Sequence, residues 1–267
     1  MTDVNMPAVP GFETIRLRLD GQIRDVFRRG SGPAVVVLSE VPGITPEVAG
    51  FARRVADAGF SVWMPQLFGT PMKPLSIPYA GETLAKICIS REFRVLAANR
   101  SSPVVDWLRA LARHAHGECG GPGVGVVGMC LTGNFGLAMM LDAPVIAPVL
   151  SQPSLPAGPL PSQVAGLHAS AEEIAAAHEK IDNEGARILG LRFSQDFMCR
   201  GERFDRLREE FGPAFEAIEI DARHANRAAG TPAHSVLTTH LIDSDGEPTR
   251  AALDRTLAFL AEQLRRD

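Results

Sequence analysis

One short segment, residues 128–133 with the sequence Gly-Met-Cys-Leu-Thr-Gly, places Cys130 where a nucleophile is expected. The apolar run 124–127 before it predicts a buried strand, and the apolar spacing over 134–141 predicts a helix. A strand, a tight turn carrying a nucleophile and a helix form the context of a nucleophile elbow. The flanking glycines leave room for a strained backbone, and nearby helix amides would favour the thiolate. The alternative is a buried structural cysteine.

A nucleophilic cysteine needs a base and a carboxylate that orients the base, each at the carboxyl end of a strand. Asp196 fits the carboxylate, because it follows the predicted strand 187–193. Two histidines follow the next predicted strand, 215–221, and both are candidates for the base. His224 lies nearest to that strand, and His234 lies further along, before the last predicted helix. The residues alone leave this choice open.

Glu40 follows the apolar strand 34–38, at the sheet edge where the elbow is expected. A carboxylate there can accept a hydrogen bond from the thiol or shift its ionisation. The alternative is a strand-end glutamate that faces water. The amides of Val41 and Leu131 are the expected oxyanion-hole donors, because one follows this early strand and the other follows the nucleophile. Pro42 has no N–H, which leaves Val41 as the donor on this side.

The order of predicted elements is that of a doubly wound α/β sheet. Alternating residues over 14–19 and 23–27, joined through Asp-Gly, predict an antiparallel hairpin. Strands and helices alternate after it, up to a last helix at about 249–265. The sequence therefore predicts a mostly parallel sheet with helices on both faces and an N-terminal antiparallel hairpin. Residues 1–267 are interpreted as one domain. The remaining predicted strands are 34–38, 60–64, 124–127, 145–150, 187–193 and 215–221.

One connection is less regular than the others. Residues 151–163 are rich in proline and serine, and a helix is predicted from about 169 to 183. Long loops are often functional, so the region 151–185 is interpreted as a lid insertion over a pocket, with a simple surface insertion as the alternative.

Composition excludes several classes of function. The chain has 267 residues, a net charge of −4 and no basic tract, which argues against nucleic acid or an anionic membrane as the partner and favours a small molecule. The N-terminus has no secretory pattern, and no apolar run is long enough to cross a bilayer. The four cysteines are scattered, unlike a disulfide framework. These features predict a cytoplasmic protein.

Taken together, these residues resemble the dienelactone hydrolase family, a group of cysteine-dependent α/β-hydrolases, over most of the chain. The resemblance rests on Glu40 after an apolar strand, on the segment 60–69, on the Cys130 elbow, and on Asp196 followed by a late histidine. The order nucleophile, acid, histidine is also that of α/β-hydrolases. The family implies hydrolysis of a small ester or lactone.

The resemblance also implies a role for each residue. Cys130 would attack the carbonyl, His234 would act as base and then as acid, and Asp196 would orient His234. Glu40 would hold the resting thiol. The segment around His234 is similar to that of a subset of the family, which favours His234 over His224 as the base.

Two further residues bear on the substrate. Arg91 matches an arginine that grips a substrate carboxylate in the family, with a surface ion pair to a neighbouring glutamate as the alternative. Thr132 stands where the best-known members have glycine, two residues after the cysteine, and its bulk is expected to change the floor of the pocket.

No metal and no cofactor is predicted. The glycines of 123–128 match a dinucleotide-binding pattern, but they interrupt a strand instead of following one. His114, His116 and Cys119 lie close together but lack a fourth ligand. Two alternatives to an esterase remain: a non-catalytic α/β-hydrolase-fold protein that binds a ligand or partner, and a redox sensor at Cys130.

Overall fold

The computed structural model describes residues 8–89, 103–155 and 160–265. Eight strands form one mixed sheet in the order β1-β2-β4-β3-β5-β6-β7-β8. The β1–β2 and β2–β4 pairs are antiparallel and all other pairs are parallel. The predicted fold is therefore confirmed. The strands are β1 Glu13–Leu19, β2 Gln22–Arg29, β3 Ala34–Leu38, β4 Ser61–Pro65, β5 Val124–Met129, β6 Val145–Ser151, β7 Ile188–Phe193 and β8 Phe215–Ile220.

The central strands are apolar because they are enclosed. Every residue of β3, β4, β5, β6 and β7 is buried, as expected for parallel strands covered on both faces. By contrast, β1 alternates between exposed and half-buried residues at the edge of the sheet. The five buried strands make a rigid floor for the segments that leave their carboxyl ends.

Helices connect and cover the strands. The described residues include α1 Pro46–Asp57, α2 Ile77–Ile89, α3 Pro103–Cys119, α4 Phe135–Ala138, α5 Pro161–Val164, α6 Ala171–Glu184, α7 Gly201–Phe211 and α8 Pro248–Leu264. Helix α3 packs on β1, β3 and β5, and α8 packs on β5 to β8. None of the helices in the described ranges combines the length and the apolar character that a bilayer crossing requires.

The helix after the elbow is shorter than the sequence predicts. A helix was expected over 134–141, whereas α4 spans only Phe135–Ala138. Asp142 adopts a φ of +56°, and Pro144 follows two residues later. A left-handed residue and a proline both interrupt helical geometry, so the apolar spacing continues further than the helix itself.

Strand pairing places the carboxyl ends of four strands side by side at one edge of the sheet. In the parallel pairs Leu38 lies opposite Gly128, Met129 opposite Ser151, and Ser151 opposite Leu191. The residues that directly follow β3, β5, β6 and β7 therefore leave the sheet side by side. This edge carries the candidate site.

Candidate active site

Cys130 occupies a strained position directly after β5. Its φ is +54°, in the left-handed region that residues with a side chain seldom adopt. A single 3-10 turn, Cys130–Thr132, begins there, and the side chain is only partly buried. Its carbonyl accepts hydrogen bonds from the amides of Gly133 at 2.9 Å and Ser154 at 3.0 Å. The backbone geometry is that of a nucleophile elbow.

The two glycines of the elbow are required by close backbone approach. A Cβ at Gly128 would lie 2.2 Å from the carbonyl oxygen of Thr132, and a Cβ at Gly133 would lie 2.4 Å from the Cα of Pro153. Both distances are far shorter than any van der Waals contact. The strained cysteine is therefore held by tight packing of the turn against itself and against the segment that leaves β6.

Thr132 lies beneath the elbow. It is fully buried, its Oγ1 accepts a hydrogen bond from the Met129 amide at 3.0 Å, and the same oxygen lies 3.3 Å from the carbonyls of Leu38 and Ser39. The expectation that its bulk alters the floor of the pocket is therefore wrong. A side chain that turns back toward the β3–β5 pair supports the turn and does not reach the cavity.

Replacement of Gly128 by alanine is expected to lower the free energy of unfolding by about 3 kcal/mol, because the new methyl group must displace backbone atoms. Chemical denaturation monitored by circular dichroism measures this change. Gly117 of α3, where a Cβ meets nothing within 4 Å, supplies the matched control. Gly117→Ala should be neutral or stabilise by up to about 1 kcal/mol. Equal stability of the two variants would contradict the packing argument.

His234 and Asp196 form a buried pair beside the elbow. The Nδ1 of His234 lies 2.6 Å from Oδ2 of Asp196, and both side chains are almost inaccessible to solvent. The second carboxylate oxygen, Oδ1, accepts a hydrogen bond from the Met198 amide at 2.9 Å. The carboxylate is thus fixed from two sides, and it fixes the imidazole ring through Nδ1.

The side of the His234 ring opposite Nδ1 lies near Cys130. Burial disfavours a charged ring, but the negative charge of the nearby Cys130 sulfur and the hydrogen bond with Asp196 outweigh it, so the pKa of His234 is raised well above its usual value near 6.5. Nε2 is buried and makes no hydrogen bond of ordinary geometry within the described residues. Catalytic hydrogen bonds are often long until a substrate binds. The raised pKa favours the protonated, imidazolium form of His234 at neutral pH.

His224 lies away from this group. It ends a 3-10 turn, Ala222–His224, where its Nε2 accepts a hydrogen bond from Nε of Arg223 at 3.1 Å and its Nδ1 lies 3.8 Å from Glu247. It does not contact Asp196. Of the two histidines that the sequence left open, only His234 meets the geometry of a base next to Cys130.

Glu40 lies at the same edge but has its own partners. Its buried carboxylate accepts hydrogen bonds from Ser235 Oγ at 2.6 Å, Gln152 Nε2 at 3.2 Å and the hydroxyl of Thr238. The hydrogen bond expected from the Cys130 thiol is not formed. Three other donors bond to this carboxylate, and the Cys130 sulfur lies close to His234.

These partners of Glu40 are functional candidates that the sequence reasoning missed. Gln152 follows β6, directly between the exits of β5 and β7, and its Oε1 accepts a hydrogen bond from the Val236 amide at 3.3 Å. Ser235 and Thr238 lie one and four residues after His234. The position of Gln152 directly after β6 was an available signal, whereas Ser235 and Thr238 lie far from any strand end. Together these side chains join the β3 exit to the loop that carries His234.

His240 supports the same loop. Its buried Nδ1 accepts hydrogen bonds from the amides of Ser235 at 3.1 Å and His234 at 3.4 Å, and its Nε2 lies 3.2 Å from the carbonyl of Thr231. This arrangement requires a neutral ring with its proton on Nε2. Burial, which lowers the pKa of His240, favours that neutral form.

His240→Ala is expected to lower kcat about 10- to 100-fold, the usual effect of losing an orienting partner, and to shift the pH dependence of Cys130 alkylation. His240→Asn should retain most activity, because the Oδ1 of asparagine can take the place of Nδ1 as the acceptor. Steady-state kinetics and iodoacetamide alkylation across pH measure both effects. Equal losses in the two variants would show that activity does not depend on the hydrogen bonds that His240 accepts from the amides of His234 and Ser235.

Cys130 and His234 open into a cavity of about 730 Å³. The predicted oxyanion-hole residues Val41 and Leu131 line the same cavity. The region predicted as an insertion, 151–185, contributes three lining residues within its described parts: Ser154, Leu155 and Val164. The cavity wall is thus built around the nucleophile from several strand exits.

Arg203 of α7 braces this wall. Its guanidinium donates to the carbonyls of Pro153, Gln163 and Gly166 at 2.5, 2.8 and 2.8 Å.

Arg91, the predicted ligand of a substrate carboxylate, lies outside the described residues. The structure therefore brings together Cys130, His234, Asp196, Glu40, Val41 and Leu131, and it separates His224 from them.

Comparison with known proteins gives one family and many similar folds. The family model described as the dienelactone hydrolase family matches residues 26–263. No curated protein sequence is matched.

Three solved structures illustrate the similarity of the fold. A protein of Klebsiella pneumoniae subsp. pneumoniae MGH 78578, provisionally described as a dienelactone hydrolase, is 19% identical, with a TM-score of 0.65 and coverage of 94% of this chain and 98% of that one. A dienelactone hydrolase-like promiscuous phosphotriesterase from metagenomic libraries is 15% identical (TM-score 0.64; 95% and 99% covered). A Xanthomonas campestris serine hydrolase of the α/β class, without a lid, is 10% identical (TM-score 0.54; 97% and 97% covered).

Proposed function

The chain belongs to the dienelactone hydrolase family, and we propose that it hydrolyses small carboxylic esters or lactones with Cys130 as the nucleophile. Family membership and the α/β-hydrolase neighbours support a hydrolase. One observation carries the finer proposal: a partly exposed cysteine at a strained elbow lies beside a buried histidine that is bonded to a buried aspartate.

The first step transfers the acyl group to the enzyme. The Cys130 thiolate attacks the carbonyl carbon, a C–S bond forms, and the π electrons move onto the carbonyl oxygen. The amides of Val41 and Leu131 are proposed to hold this oxyanion. As it collapses, the C–O bond to the leaving group breaks, and the His234 imidazolium gives its proton to the departing oxygen. In a lactone the leaving group stays attached as the ring opens.

The second step releases the acid. Neutral His234 takes a proton from a water molecule as the water attacks the thioester carbonyl. The second tetrahedral intermediate collapses with cleavage of the C–S bond, which restores the thiolate beside the imidazolium. Asp196 keeps Nδ1 protonated throughout, so Nε2 always faces the reacting atoms.

Hydrolysis of p-nitrophenyl acetate before and after treatment with iodoacetamide tests this proposal. Turnover that is lost in proportion to carbamidomethylation of Cys130, followed by mass spectrometry, is the expected result. A protein that binds a ligand without catalysis would release no p-nitrophenol above the rate of the buffer. That outcome, or turnover that survives complete alkylation of Cys130, would refute the proposal.

A further inference from the structure

The mouth of the Cys130 cavity is unusually apolar. Six large hydrophobic side chains are exposed among the described residues, namely Ile23, Ile77, Leu84, Leu160, Phe197 and Met198. Four of these six line this one cavity: Ile77, Leu84, Phe197 and Met198. Exposed apolar side chains concentrated at one site mark a surface that binds an apolar group.

Helix α2 presents a shallow trough to the cavity. Ile77, Ala80, Gly81 and Leu84 all line it, and their spacing of three, four and seven residues places them on one helix face. The two small residues lie between the two large ones. A Cβ built on Gly81 meets no atom within 4 Å, so the space above it is open. A linear apolar chain fits between Ile77 and Leu84.

The two arginines among the described residues of the wall already have partners. Arg203 donates to three backbone carbonyls, and Arg200 forms an ion pair with Glu202 at 2.5 Å. Neither arrangement presents a cation dedicated to a substrate carboxylate. The remaining lining is mostly aliphatic, aromatic or sulfur-containing side chains.

We propose that the acyl group of the substrate is an uncharged chain of medium length, lying along the Ile77–Leu84 face of α2. This inference rests on the proposed function, because it needs Cys130 to form the acyl-enzyme. A cavity of about 730 Å³ lies within the range of about 300–1,000 Å³ that holds drug-sized ligands, well beyond an acetyl group. Each methylene buried there strengthens binding roughly fourfold.

The experiment compares kcat/KM for p-nitrophenyl acetate, p-nitrophenyl octanoate and the anionic mono-p-nitrophenyl succinate. The octanoate is expected to exceed the other two esters at least about 30-fold. Gly81→Leu fills the trough and should lower the octanoate-to-acetate ratio at least about tenfold. Gly117→Leu is the matched control, since Gly117 is also an exposed helical glycine with nothing within 4 Å, and it should leave the ratio unchanged.

Thermal unfolding checks that both variants fold, and Ile77→Ser, at a side chain that is 75% exposed, should lower the ratio independently. Cys130-dependent turnover with an octanoate-to-acetate ratio near one, or with the succinate ester preferred, overturns this inference and leaves the proposed function standing. A Gly81→Leu variant that alters only the oligomeric state would likewise overturn this inference and leave the proposed function standing, because a second copy of the chain would then cover the trough. Absence of Cys130-dependent turnover for all three esters refutes the proposed function and this inference with it.

Discussion

Replacing Cys130 with alanine is expected to lower kcat/KM for activated esters by at least about 10⁴-fold, because Cys130 is the proposed nucleophile and supplies the only thiol among the described residues that line the cavity. The loss should fall on kcat, with the residual rate coming from binding and from the proposed oxyanion-hole amides. Cys130→Ser should recover little activity. A hydroxyl ionises far less readily than a thiol, so an anionic nucleophile would be much rarer in this variant.

The control for this prediction removes a different thiol. Cys88 lies exposed on α2 and does not line the cavity, so Cys88→Ala should retain full activity. Thermal unfolding of both variants tests whether the fold is intact, and electrospray mass spectrometry of a quenched reaction should find an acyl group on the wild-type protein only. A Cys130→Ala variant that turns over esters at the wild-type rate would remove the nucleophile from the mechanism.

His234→Ala is expected to reduce kcat/KM by about 10²- to 10⁴-fold, the usual contribution of a positioned acid–base group. It should also slow alkylation of Cys130 at neutral pH, since the thiolate loses its cationic partner. Initial rates with p-nitrophenyl esters and iodoacetamide inactivation from pH 5 to 10 measure the two effects.

His224→Ala is the matched control, because its ring lies among Arg223 and Glu247 and not beside Asp196. It should change neither the rate nor the alkylation profile. If His224→Ala caused the larger loss, the assignment of the base would be reversed.

The raised pKa of His234 also fixes the direction of the pH dependence. A raised pKa means that the imidazolium is fully present below the usual value near 6.5 and persists above it, until the pH passes through the pKa of the folded protein. Proton donation to the leaving group should therefore be retained at neutral pH and lost on the alkaline side. The pH–rate profile of kcat/KM reports the ionisation of the free enzyme, so a profile that falls on its alkaline side already near pH 6.5 would contradict the raised pKa of His234.

Much of this architecture could be predicted from local patterns. The apolar runs of β3 and β5 are long enough to indicate buried strands, and glycines at 128 and 133 indicate a tight turn, so the sequence alone predicts the position of Cys130 in the fold. Asp196 followed from its position after β7. These positions in the fold could be predicted because each depends on a short stretch of chain and on the parallel topology that aligns the ends of the strands.

The contacts between side chains from distant segments could not be predicted in the same way. The choice between His224 and His234 depends on the path of a long irregular segment, which has no periodic pattern. The preference of Glu40 for Ser235 and Thr238 depends on rotamers selected by packing across almost 200 residues of sequence. Pairing of this kind is decided by tertiary contacts and leaves little trace in composition or spacing.

The contact between Gly133 and Pro153 has an evolutionary consequence. The Cα of Pro153 occupies the space that any side chain at position 133 would need, so the turn after β5 and the segment after β6 are constrained as one unit. Among relatives, a residue larger than glycine at position 133 is expected only where the segment after β6 has shifted or shortened. Substitutions at these two places should therefore be correlated, and random mutagenesis of either alone should yield few active clones.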